Sequence, residues 1–390
     1  MKRILNFLSI TLLFIILYFV FNNKAKNTIE NKPIPTEAAN KEIVYNNCYE
    51  VDMKWAGKST YISFLFVELN RSKTTNNLDD LLSQKDKIKI LNISSQNLRE
   101  LPEILFQFPN LEQLDISDNH FENVEKLIND LARLPKLKLL AMRHCGLYRL
   151  PSNLIKLKKL IGLALGQNIK MLELGESIGD LTNLRYLSLR RNKKLKYLPE
   201  AIGNLKCLEY ISIAATGLTE LRDELTYCEN LKNITANASK IKYLPDELGR
   251  LKNLKILNLG ANSIEKIPES IGDLTQLIDL SLGTNELSYL PETISKLENL
   301  YSISLELNRF KMFPLQVLKL KNLRYLDLHN NSFRVIPIEV VDLPKLKRIY
   351  VDHELISAQN ILMLKERNSK IEIEKRDALR LAPNKPKRKN

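Results

Sequence analysis

From Ile88 onward the apolar positions keep one rhythm, LxxLxLxxNxLxxLPxxLxxLxx. Its first position is taken by Ile88, Leu111, Leu137, Leu160, Leu184, Leu208, Leu231, Leu254, Leu277, Leu300, Leu323 and Leu346. The spacings are 23, 26, 23, 24, 24 and then 23 six times. In LKILNLGAN (254–262) the alternation of Leu257 and Leu259 predicts a strand of period two. Ile264 and Ile267 then turn inward, and Pro268 fixes φ and removes a donor as the chain leaves the strand layer. Apolar residues at 271, 274 and 277, three apart, predict a 3₁₀ or irregular helical turn. A single unit cannot bury its own leucines, so stacking must supply the core.

The Leu-Pro step recurs at Pro102, Pro151, Pro199, Pro245, Pro268, Pro291, Pro314 and Pro337, and is missing from the units that start at Leu111, Leu160 and Leu208. The longer Leu111 unit has room for a fuller helix around residues 122–134. The ninth position is usually Asn: Asn119, Asn168, Asn192, Asn262, Asn285, Asn308 and Asn331. A buried amide there can pair the backbone groups of a tight turn, which are costly to leave unpaired. Cys145, Thr216 and Ser239 take this place elsewhere, so Cys145 reads as structural.

This pattern resembles the leucine-rich repeat family, in the 23-residue class with a Leu-Pro step seen in Ras-suppressor-like proteins and many bacterial homologues. The resemblance covers about residues 77–356. It implies an α/β solenoid, a right-handed horseshoe with a concave parallel sheet of about 12 strands. It also implies a non-enzymatic protein that binds a protein partner on that concave face. A cytoplasmic signalling scaffold contacting a small GTPase is the alternative that the same resemblance allows.

The remainder of the chain divides around the repeats (88–356). Residues 4–21, ILNFLSITLLFIILYFVF, are uncharged, and at 1.5 Å per residue would span roughly 27 Å, close to the ~30 Å hydrocarbon core. Residues 1–21 are therefore expected to be a membrane anchor or signal segment, with the anchor favoured because the run is long and ends in bulky Phe19, Val20 and Phe21. This predicts a membrane-anchored or exported protein. Residues 22–42 read as a linker, 43–87 as an amino-terminal cap region, 357–379 as a carboxyl-terminal cap and 380–390 as a basic tail. Within the caps, residues 77–84 and 358–366 read as helices and 370–374 as a closing strand.

Charge would suggest a nucleic-acid ligand until it is located. The formal net charge is +14, but residues 1–32 contribute +4 and residues 380–390 contribute +5, leaving +5 for residues 33–379. No specific nucleic-acid binding is expected from so mild an excess. Four Cys and four His are too few for a disulfide scaffold or a zinc cluster. Gly57-Lys58-Ser59-Thr60 ends like a phosphate-binding loop, but Asp52 stands where its first Gly belongs and a strand pattern follows. No catalytic constellation emerges from spacing, and no cofactor or metal is expected.

The residues left for function are those on the strand face that the core does not use, positions 2, 3, 5, 7 and 8 of each unit. One zone joins Arg143 and His144 to Arg190 and Arg191 across Gly166 and Gln167, with Tyr186 and Tyr210 nearby. It suits an acidic partner segment, Arg and Tyr being common interface anchors. At ~4.8 Å per strand, Arg143 and Arg190 are expected roughly 10 Å apart. The second zone is Tyr325, Asp327, His329, Tyr350, Asp352 and His353, where Asp and His either pair or hold a metal; pairing is the expectation. Lys158, Lys206, Lys252 and Lys321 read as a solvated rim. A monomer is expected.

Overall fold

The computed structural model describes residues 78–352 and 354–375. Thirteen strands form one parallel sheet in sequence order, from β1 (Ile90–Asn92) through β12 (Arg348–Val351) to β13 (Glu372–Lys375). Most strands are three residues long, and the middle residue of each points into the core. Leu257, Leu280, Ile303, Leu326 and Ile349 are thus paired in register across five neighbouring strands and are at most 1% exposed. Each strand's outer two residues face the open side of the sheet.

The return path is short and mostly 3₁₀. In the unit starting at Leu254 the turn is Glu269–Asp273, preceded by Pro268 in extended backbone. Where the Leu160 unit lacks its proline, Gly175 takes the place with φ +85°, and in the Leu208 unit Arg222 does so in extended backbone. These turns stack closely. A Cβ on Gly272 would meet the Thr293 carbonyl oxygen of the next turn. The 26-residue unit carries an α-helix instead, α1 (Val124–Leu131), capped by Asn123 Oδ1 accepting from the Lys126 N–H at 2.9 Å.

The asparagine ladder joins the units. Asn168 Oδ1 accepts from the N–H groups of Cys145 (2.8 Å) and Leu147 (3.2 Å), and its Nδ2 donates to the carbonyls of Met142 and Leu165, both at 2.9 Å. One amide therefore pairs four backbone groups of two units. One residue before each ladder position, at Asp118, His144, Gln167, Arg191, Ala215, Ala238, Ala261, Thr284, Leu307 and Asn330, the backbone enters the left-handed region. Non-glycine residues resist that conformation by about 1–2 kcal/mol. It is held by hydrogen bonds to the next unit, such as Arg191 N–H to Ala214 O at 2.8 Å.

The carboxyl end is closed by α2 (Ala358–Arg367) and β13, one strand more than the twelve repeats supply. Ser357 Oγ caps α2, and Arg367 clamps Asp342 with two bonds of 2.7 Å. At the amino end a 3₁₀ turn, Asp79–Gln84, precedes β1.

The membrane-anchored or exported location expected from residues 1–21 is corrected. Among the described residues no helix is long and apolar enough to cross a membrane. The longest, α2, has ten residues, or about 15 Å against a ~30 Å core. Residues 4–21, the linker, the 43–77 part of the amino-terminal cap region with residues 57–60, His353, residues 376–379 and the basic tail lie outside the described residues.

Candidate partner-binding face

Arg143 and His144 follow β3 (Leu139–Ala141), and Arg190 and Arg191 follow β5 (Tyr186–Ser188). The backbones of the two segments are linked through the unit between them, His144 N–H donating to Gly166 O at 3.0 Å and Gln167 N–H to Arg190 O at 2.9 Å. Arg143 leans back over the preceding unit, where its Nη2 donates to Asp115 Oδ2 at 2.6 Å and its Nε to Ser117 Oγ at 3.2 Å. His144 Nδ1 lies 2.9 Å from Asp118 Oδ1. Arg143 and His144 are thus matched by two acids one unit earlier, at sequence positions that the candidate zone did not include.

Arg190 and Arg191 are exposed. Gly166 forms the floor beneath Arg190, whose Cγ would lie 3.4 Å from a Cβ placed there. Tyr186 and Tyr210, on β5 and β6 (Tyr210–Ser212), stack with centroids 5.1 Å apart and planes 17° apart. Tyr186 is only 7% exposed, so the pair acts as a stiff wall beside the arginines more than as a free anchor.

Beyond β6 the face is small and neutral: Ala214, Ala215, Ala238, Gly260 and Ala261. It then turns acidic across β9 (Asp279–Ser281), β10 (Ser302–Ser304), β11 (Tyr325–Asp327) and β12. Asp279 and Glu306 belong here, although no recurring motif marks them. Burial alone pushes the Asp279 carboxyl up to about 6. Glu306 folds into the space that a Cβ on Gly283 would need, and Ser304 Oγ donates to it. Burial, then the neighbouring Asp327 charge, raise the Glu306 carboxyl above its ordinary range.

The second candidate zone is largely satisfied internally. His329 is 4% exposed and pairs through Nδ1 with Asp327 Oδ1 at 2.5 Å. Asp352 Oδ2 accepts from the Asn330 N–H at 2.5 Å, and burial raises this carboxyl. Its Oδ1 is buried without a hydrogen-bond partner. Tyr350 accepts through its hydroxyl from Arg348 at 3.1 Å, and Tyr325 lies tilted against Tyr301 with centroids 5.4 Å apart. Among the described residues no group of three or more His, Cys, Asp or Glu could hold a metal ion. Cys145 and Cys228 are buried free thiols, both pushed up to about 12 by burial, while Cys207 is free and exposed.

Models described as leucine rich repeat match residues 298–356, and residues 183–205 and 253–274. A comparison with curated proteins returns no match. Among solved structures, a leucine-rich repeat protein of Leptospira interrogans is 30% identical, with 78% of this chain and 82% of that chain covered and a TM-score of 0.65. An internalin of Listeria monocytogenes is 20% identical over 81% of this chain and 94% of that one, with a TM-score of 0.59, a likeness of fold. A plant peptide hormone receptor, RGFR1, solved in complex with RGF2, is 26% identical over 72% of this chain and 50% of its own, with a TM-score of 0.54. With its repeat period, its open parallel sheet and these matches, the chain belongs to the leucine-rich repeat family.

Proposed function

We propose that the chain is a non-enzymatic module that binds a protein partner on the open face of its sheet, as a monomer. The observation that carries this reading is charge separation along that face. Exposed Arg190 and Arg191 stand at β5, and Asp279 and Glu306 stand at β9 and just after β10, with alanine and glycine between them. At ~4.8 Å per strand the two charged zones are roughly 20 Å apart. A partner segment fits if it carries an acidic group at one end and a basic group at the other. The flat floor lets its backbone approach, and the Tyr186–Tyr210 stack supplies a rigid side wall. The family resemblance supports protein binding, since a receptor of the same fold is solved with RGF2.

Charge reversal at Arg190→Glu with Arg191→Glu tests the reading in affinity capture with the full chain. The matched control is Lys252→Glu with Lys321→Glu on the rim. A partner lost by the first variant and kept by the second supports it. The expected loss is at least about 2 kcal/mol, the scale of an arginine hot spot. Equal effects of the two variants would overturn it.

A further inference from the structure

Two cavities open along the edge of the sheet where the strands begin. One, of about 690 Å³, is lined by Lys136, Lys138, Lys159, Arg185, Cys207 and Glu209 among others. The other, of about 490 Å³, is lined by Lys255, Tyr301, Arg324 and Lys345 with neutral residues and no carboxylate. Nearly all of the lining comes from two rows, the residue just before and the residue just after each unit's first leucine. Over the twelve units those rows hold 11 Lys or Arg and 2 Glu, a net +9. Residues 33–379 together carry only +5, so the rest of that span is −4. The positive charge of the repeats is gathered on one edge.

The two acids do not cancel it. Glu112 is shared by Lys89 at 3.7 Å and Lys138 at 2.9 Å, and Glu209 by Arg185 and by Lys232 at 2.8 Å. Lys136, Lys159 and Lys345 reach neutral oxygens instead, on Asn110, Pro135 and Asn322. The charge is strung along a line and converges on no single point. From Lys136 to Lys345 it crosses nine strand spacings, or roughly 43 Å at ~4.8 Å each. That geometry suits a chain with repeated negative groups better than a small anion.

The groove also carries amides. Asn183, Asn230 and Asn299 spend Nδ2 on the carbonyls of Lys158, Lys206 and Thr275, which leaves their Oδ1 atoms to accept from hydroxyls. Single-stranded nucleic acid would need aromatic faces on which bases stack. Tyr301 is the aromatic that lines these cavities, and Arg324 lies over its ring at 4.9 Å. We propose that this edge is a binding groove for a linear anionic polysaccharide, with its acidic groups over the lysines and its hydroxyls on the asparagines. It borders the open face, since Tyr301 packs against Tyr325, but does not depend on Arg190 or Arg191.

The experiment uses the full chain with heparin as the probe. A mixed-sequence single-stranded oligonucleotide of equal charge is the competing probe. The edge variant combines Lys136→Gln, Lys159→Gln, Arg324→Gln and Lys345→Gln, none of which strands a paired carboxylate. The control removes the same charge from the tail, through Lys385→Gln, Lys387→Gln, Arg388→Gln and Lys389→Gln. Heparin binding near physiological salt should fall at least tenfold in the edge variant and less than threefold in the control, with a shallower salt dependence in the former. Heparin should also slow alkylation of Cys207, read by peptide mass spectrometry, at least threefold. Equal losses in the two variants, no protection of Cys207, or tighter binding of the oligonucleotide than of heparin would each overturn the proposal.

Discussion

Arg143 and Asp115 form an ion pair of 2.6 Å between neighbouring units, with the aspartate side chain only 2% exposed. Truncating the arginine leaves a buried charge without its counter-ion. Arg143→Met should therefore lower stability by about 3 kcal/mol, the usual scale for breaking such a pair. Adding Asp115→Asn should recover much of the loss, because the stranded charge disappears. Arg190→Met, on an exposed side chain, should cost under about 0.5 kcal/mol. Urea unfolding of the four proteins tests this, and equal midpoints for Arg143→Met and Arg190→Met would refute it.

The asparagine ladder is uneven, and the unevenness is measurable. Asn168 makes four hydrogen bonds, but Asn192 makes two, from Nδ2 to the carbonyls of Leu165 and Leu189. Its Oδ1 is buried without a partner. The 24-residue unit before it sends the Ile169 and Met171 N–H groups to Gln167 and Asn168 carbonyls instead. Each stranded buried group costs about 1–3 kcal/mol. Asn168→Ala should therefore cost about 3–5 kcal/mol and Asn192→Ala about half as much or less. Comparable losses in thermal unfolding would mean that the ladder's bonds do not set its contribution.

The repeat was legible because burial fixes it: a leucine must recur wherever a strand or turn points inward. The Asn ladder was legible for a related reason, since one residue type alone offers two donors and an acceptor of that reach. What escaped the sequence depends on which way a side chain leans. Arg143 reads as half of a notch with Arg190, yet its length lets it reach Asp115 on the other side. Gly283 offers no side chain to mark its place, yet its missing Cβ is what admits the Glu306 carboxylate. The basic edge was not anticipated: Lys158, Lys206, Lys252 and Lys321 stand one residue outside it and line neither cavity. Its main rows sit on either side of the first leucine, and their proximity emerges only when units are stacked.

Close stacking of the turns predicts a steric effect. A Cβ on Gly272 would come 2.4 Å from Thr293 O and 2.6 Å from Thr293 Cβ. Both obstacles belong to the next unit, and one is backbone, so they cannot swing away. Gly272→Ala should cost about 1–3 kcal/mol through overpacking. A more stable protein would show that helix propensity outweighs the contact.

Asp279 supplies a pH test whose sign is fixed by its surroundings. Its carboxyl is raised from 3.8 to about 6 by burial, with no ion pair to compensate. The folded chain therefore holds this proton more tightly than the unfolded chain does. Between about pH 4 and pH 6 folding takes up a proton, so the contribution to stability is fully present below pH 4 and is lost as pH rises through 6. Asp279→Asn has no such proton and should be more stable than the wild type at pH 7.5, by about 1–2 kcal/mol after allowing for partial exposure. The advantage should shrink toward zero at pH 4. Glu306 and Asp352 are raised as well, so the wild-type profile alone mixes three groups. The difference between wild type and variant isolates one of them. Urea midpoints at pH 4, 5, 6 and 7.5 give that difference directly, and a gap that stays constant, or widens toward low pH, would show that burial does not govern this carboxylate.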